Sequence, residues 1–370
     1  MQPVSMIFQP KALMACQAQR RWKSWISMPS RVSTPSLSQS LTYSWPLGEK
    51  RCLPRYLFRA YGPDSGGALE QKKYEDLNTE NSITPHAFME INGVNRGHEH
   101  ASKIPNPERM INGHIHTTKD IQSEFSSWTP SLLLVLCYAE QKFVQHESAH
   151  VCVIDTYKIR NGVFHVPTLI NVGLARKGRR RVILSGDPFR EEYLVHGVVS
   201  GKGYHALSYG KIRRDLLKVY PEIRNNMDWG YALRRSKFDP SFATVKITSV
   251  HIELLKGIAE SFGPREIVFP LTISLVCLVK RFNLDYTAAE LCGSPEFKTY
   301  VQALKSITTH IDVDENWLVH NHQWIGRMTE VKHTKMMMQA LIWSKFGRGK
   351  RSGVDALAAQ LESTQIHGGK

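Results

Sequence analysis

The chain has 370 residues, 42% of them hydrophobic and 22% charged; this excludes a wholly disordered or fibrous protein and allows one large domain or two ordinary ones. The longest nearly unbroken apolar stretches, 131–139 and 267–279, fall short of the ~18 residues that a membrane-crossing helix requires, so no membrane span is expected. The formal charge of +15 resides mostly in the flanks: residues 1–50 hold six Lys/Arg against one acid, 51–205 hold 19 against 16, and 206–370 hold 23 against 16.

Residues 1–48 contain no Asp or Glu and are rich in Ser, with Arg20, Arg21, Lys23 and Arg31 among scattered Trp and Met. That composition fits either an organellar transit peptide or a disordered basic tail, and the absence of a clear amphipathic helix favours the tail. A strand is expected over 52–61, closed by the turn-forming residues Gly62-Pro63-Asp64-Ser65-Gly66-Gly67. Residues 62–113 read as polar loops around one short helix near 85–91. Thr129 is the expected N-cap of an apolar helix, with Pro130 at its first position and Leu132 to Phe143 in its body.

Val151-Cys152-Val153-Ile154 reads as a central strand ending at Asp155. Residues 182–184 and 192–199 are two further strand candidates. Beyond residue 208 the pattern turns helical, with expected helices over 210–219, 251–262, 271–281, 287–306 and 330–346. The organisation expected is a disordered basic segment (1–50), a first domain (51–208), a separable helical C-terminal region (209–346) and a flexible basic tail (347–370). Six cysteines without a CxxC pair predict free thiols in a reducing compartment. An intracellular location follows, cytoplasmic in the first instance, with mitochondrion or nucleus as alternatives.

Several motifs compete for the chemistry. His146-Glu147-Ser148-Ala149-His150 matches the zinc-protease pattern, which needs one helix to present both imidazoles at i and i+4. The second His abuts a strand, so a surface loop is expected and no metal. The same holds for His98, His100, His114 and His116, read as solvated loop histidines. Basic runs at 177–181, 213–214, 234–235 and 348–351 come without a nucleic-acid fold signature, so nucleic acid is not an expected partner. Gly201-x-Gly203 lacks the third glycine of a dinucleotide fingerprint.

A more widely spaced set is Arg59 in the first strand, Ser127-Trp128-Thr129 at the mouth of the apolar helix, and Glu192 opening a later strand. Its order and contexts resemble the ADP-ribosyltransferases. Leu57-Phe58-Arg59-Ala60-Tyr61 with Asp64-Ser65 looks like the arginine strand of the toxin-type enzymes, and Glu192-Tyr193-Leu194-Val195-His196 like the catalytic-glutamate strand of the poly(ADP-ribose) polymerases. Residues 123–132 and 153–156 also resemble a domain of unknown function common in filamentous fungi, a match over roughly 53–205 that is the more specific of the two.

The transferase resemblance implies an α+β fold, a split mixed or antiparallel sheet with helices, followed here by the helical C-terminal region. It implies NAD as substrate and either mono-ADP-ribosyl transfer to an unidentified protein acceptor or NAD hydrolysis. A non-catalytic recognition module on the same scaffold is the alternative. Cleaving the nicotinamide–ribose bond passes through an oxocarbenium-like state, which a carboxylate beside the ribose stabilises; Glu192 takes that catalytic role. Arg59 would anchor the pyrophosphate side with its planar donors. Ser127 and Thr129 would hold Arg59 and Glu192 in place, and Tyr61, Trp128 or Tyr138 would stack on nicotinamide. Two positions depart from the family pattern. Trp128 stands where the family has the central Thr, and Arg190 stands where arginine-modifying enzymes carry an acid, which argues against an arginine acceptor.

Overall fold

Alternation along two strands sets the architecture. In β1 (Tyr56–Tyr61) the side chains of Leu57 and Tyr61 face one way and those of Phe58 and Ala60 the other. In β5 (His150–Asp155) Val151 and Val153 oppose Cys152 and Ile154 in the same manner. All of these are buried, so the sheet they form carries an apolar layer on each face.

The computed structural model describes residues 53–63, 78–79, 81–89, 97–116, 121–176, 192–224, 248–263, 265–279, 288–308 and 329–346, all within one compact unit, Ser44–Lys370. The expected basic N-terminal segment, the strand at 182–184, the basic runs at 177–181, 234–235 and 348–351, Arg190 and the tail from 347 lie outside the described residues.

The fold is mixed α and β with antiparallel pairing. One sheet has the order β1-β5-β9, with β9 at Tyr204–Ser208; a second has the order β4-β7-β6, with β4 at Phe125–Trp128, β6 at Val163–His165 and β7 at Tyr193–His196. A small third sheet joins β2 (Asn78–Thr79), β3 (Ser82–Ile83) and β8 (Val199–Ser200). Among the described residues the first two sheets touch through one antiparallel bridge, Phe58 to Thr129, whose two backbone hydrogen bonds measure 2.7 and 2.9 Å. Away from this bridge β1 and β4 belong to separate sheets, and the candidate site lies beside it.

Three apolar layers follow. Between the two large sheets lie Leu57, Tyr61, Trp128, Cys152, Tyr193 and Val195. Outside the β4 sheet, Phe125, Phe164 and Leu194 pack against Ile111 and Ile115 of α1 (Pro107–Ile115) and Leu169 of α3 (Val166–Asn171). Outside the β1 sheet, Phe58, Val151, Val153 and Leu207 pack against α2 (Leu132–His146). That third layer continues without a break into the C-terminal helices α4 (Tyr209–Val219), α5 (Ser249–Glu260), α6 (Arg265–Val279), α7 (Ala288–Gly293), α8 (Pro295–Thr308) and α9 (Thr329–Phe346). The change near residue 208 is therefore one of secondary structure, and the packing runs across it.

Helix α2 starts two residues later than its sequence suggests. The backbone N–H and C=O of Thr129 are both spent on Phe58, which keeps it extended, and its hydroxyl oxygen accepts from the Ser131 N–H at 3.1 Å. Ser131 is the cap instead, its hydroxyl accepting from the Leu134 N–H. The helix ends at His146, where Glu147 takes a left-handed conformation (φ 54°), and His150 already belongs to β5. The zinc-protease pattern therefore spans a helix end, a turn and a strand start, and its two histidines share no helical face.

The short helix expected near 85–91 is one 3-10 turn, His86–Phe88. Helix α1 was not expected at all. Its start is encoded by Asn106, whose side chain accepts from the Arg109 N–H at 2.9 Å, and by Pro107 at the first position. No described helix is long and apolar enough to cross a membrane.

Candidate functional site

Strand β4 organises the site because its two faces serve different layers. Phe125 and Ser127 face α1, while Ser126 and Trp128 face the interior between the sheets. On the paired strand Ser127 lies opposite Leu194, with Glu192 just outside the pairing and its carbonyl accepting the Val166 N–H at 3.0 Å.

Ser127 is where the expected residues meet. Its hydroxyl donates to Glu192 Oε1 at 2.7 Å, and its carbonyl accepts from Arg59 Nη1 at 2.8 Å. The guanidinium caps that carbonyl at the point where β4 separates from β1. Arg59 extends from the face of β1 that looks into the layer between the sheets, opposite Cys152, and its Nε–H is buried without a hydrogen-bond partner among the described residues. A buried donor on a cation without a hydrogen-bond partner is costly, and it leaves this atom able to donate to one further partner.

The remaining expected residues stand differently. Thr129 sits at the bridge and spends its side-chain oxygen on the Ser131 N–H, away from Arg59 and Glu192. Tyr61 is buried and stacked on His150, ring centroids 4.8 Å apart and ring planes nearly parallel. Trp128 is buried, its indole N–H donating to Ser126 Oγ at 2.8 Å and its ring packed edgewise on Tyr204. Tyr138 lies on α2 under the Lys142 ammonium, on the far side of the β1 sheet. None of the three presents an open ring face beside Ser127 in this arrangement.

The reading of His114 as a solvated loop histidine does not hold, because the residue is helical and half-buried. It lies in the last turn of α1, with Nε2 2.8 Å from Ser127 Oγ and Nδ1 2.6 Å from Ser123 Oγ. Ser123 Oγ accepts in turn from the Phe125 N–H at 3.0 Å. The signal that would have placed it was the Asn106-Pro107-Glu108 helix start, which puts Ile111, His114 and Ile115 on one face at i, i+3 and i+4.

A second polar cluster pins the other end of β4. The buried Glu124 carboxylate bonds His98 Nδ1 at 2.7 Å and His196 Nε2 at 2.9 Å, and accepts from the His98 backbone N–H at 3.0 Å. Burial opposes its ionisation, but the bonds from His196 and His98 together outweigh that and hold its carboxyl below the usual glutamate value. Asn161 Nδ2 donates to the His196 and Val198 carbonyls, and Gly197 supplies the positive φ (80°) of the turn between β7 and β8. Among the described residues, no group of three or more His, Cys, Asp or Glu is arranged to hold a metal ion.

Residues 52–202 match a family model described as Domain of unknown function (DUF7587). That span starts just before β1 and ends within the turn before β9, so it contains Arg59, His114, Ser127 and Glu192. No curated protein and no solved structure matches the chain.

Proposed function

We propose that the site around Ser127 cleaves the nicotinamide–ribose bond of NAD and passes the ADP-ribosyl group to water or to a nucleophile on a protein. The observation that carries this reading is Ser127 itself, holding the Glu192 carboxylate through its hydroxyl and Arg59 through its carbonyl. In the reaction the C1′–N bond breaks, its electron pair leaves with nicotinamide, and the oxocarbenium-like ribose is attacked by the acceptor oxygen or nitrogen, which then loses a proton. The negative charge of Glu192, fixed in direction by Ser127, stabilises the developing positive charge. The unpaired Arg59 Nε–H is a donor for a phosphate or ribose oxygen.

The test is nicotinamide release from NAD by the full-length protein. Wild type is expected to turn over, and Glu192→Gln, which keeps size and most hydrogen bonding but removes the charge, to slow it by about 10²–10³-fold. If wild type neither binds nor consumes NAD, the enzyme reading fails, and a recognition module on this scaffold replaces it.

A further inference from the structure

We infer that His114 is a positioning residue: its Nε2–H donates to Ser127 and thereby commits the single proton of that serine to Glu192. The kinetic consequence rests on the NAD-cleaving reading above; the hydrogen-bond assignment does not.

The available hydrogens fix the direction of each bond. A serine hydroxyl carries one donor hydrogen and two acceptor lone pairs. Ser127 Oγ has two close partners, His114 Nε2 at 2.8 Å and Glu192 Oε1 at 2.7 Å. An ionised carboxylate can only accept, so the serine hydrogen goes to Glu192 and the imidazole must bring a hydrogen on Nε2. In the neutral ring Nδ1 is then an acceptor, matched by Ser123 Oγ at 2.6 Å, a much closer partner for that hydroxyl hydrogen than the Phe125 carbonyl at 3.4 Å; a lone pair of the same oxygen is taken by the Phe125 N–H. The hydrogens run in one direction, from Phe125 N–H through Ser123, His114 and Ser127 to Glu192. Protonating the ring leaves the Nε2–H bond to Ser127 in place.

The same chain separates this site from a serine hydrolase. There a histidine must present a bare nitrogen to take the serine proton, whereas here the facing nitrogen already holds one. Ser127 is a fixed donor, not a nucleophile. The ring is held for this task by α1 and by an edge contact with Phe125, centroids 6.2 Å apart.

Two measurements on the full chain decide the matter. Nitrogen-15 spectra of the imidazole rings above neutral pH, with His114 assigned by its loss in His114→Gln, should show hydrogen on Nε2 and a bare Nδ1. The opposite tautomer, or labelling of Ser127 by a fluorophosphonate, overturns the assignment. In kinetics, His114→Leu should lower kcat by about 10²-fold with KM for NAD unchanged. His114→Gln, whose amide donates from nearly the same place, should restore most of the rate. Wild-type turnover in His114→Leu contradicts the positioning role. If wild type releases no nicotinamide, the NAD reading falls, while the tautomer still decides what His114 does.

Discussion

At the residue scale the site depends on which groups are charged and which are locked. Glu192 is expected to carry the electrostatic work, and its neighbours fix its direction. Glu124 plays the complementary structural part, clamping the start of β4 to His98 and to the end of β7. Because its folded carboxyl titrates below the ordinary value of 4.5, the stability it contributes is fully present above that value and is lost as pH falls through the folded one. Wild type should therefore exceed Glu124→Gln in denaturant midpoint at neutral pH, with the gap closing as pH falls below the ordinary glutamate value. A gap that widens on acidification would contradict this. Burial pushes the Cys152 thiol up to about 12, so it should resist alkylating reagents until the chain unfolds.

Residue types were legible in the sequence where local context was enough. Arg59 and Ser127 were each placed in a strand by the residues around them, and Glu192 lies next to one. What could not be read was which atom does what: Arg59 reaches β4 through a backbone carbonyl, and that depends on where two sheets part. Tyr61 and Trp128 were named as stacking partners because they are aromatic near the right strands, yet strand alternation turns both into the layer between the sheets.

At the scale of elements, the apolar runs gave α2 and β5 nearly in full, because continuous burial leaves an unambiguous pattern. The cap of α2 was misplaced by two residues, since Thr129 was already committed to a bridge with a strand 71 positions away. Helix α1 escaped notice because its apolar face is narrow and its surroundings polar. Its cap is nevertheless testable: Asn106→Ala should destabilise by about 1 kcal/mol and weaken the hold on His114. Unchanged thermal stability would show that the packing of Ile111 and Ile115 suffices alone.

Helices α2 and α4 are joined by an ion pair in which Arg213 donates from Nε and Nη2 to both oxygens of the buried Glu140, at 2.8 and 2.7 Å. Arg213→Ala leaves that carboxylate uncompensated and should cost about 3–5 kcal/mol. The double variant Arg213→Ala, Glu140→Leu should recover much of the loss, because an apolar replacement removes the buried charge. If the double variant is less stable than the single one, the pair has a role beyond mutual neutralisation.

For the whole molecule, the matched span at 52–202 and the packing units do not coincide. Helices α2 and α4 cover the outer face of the β1 sheet and α2 packs in turn against α4 and α6, so a fragment ending at 208 would expose Leu133, Leu136 and Leu207. Such a fragment is expected to aggregate or to bind a hydrophobic dye strongly, and a soluble, cooperatively melting 52–208 fragment would contradict that. Helical periodicity in the C-terminal half was readable because it is local. The surface they cover was not, because it brings α2, near residue 135, against α4 and α6, near residues 215 and 270.

The most direct test of the central claim separates binding from chemistry at one residue. NAD is titrated calorimetrically into full-length wild type and Glu192→Gln, and nicotinamide release is followed in the same preparations. Affinities are expected within a few-fold of each other and the release rate about 10²–10³-fold lower in the variant, since the charge acts on the oxocarbenium-like state and not on the ground state. Equal release rates in the two proteins would contradict it.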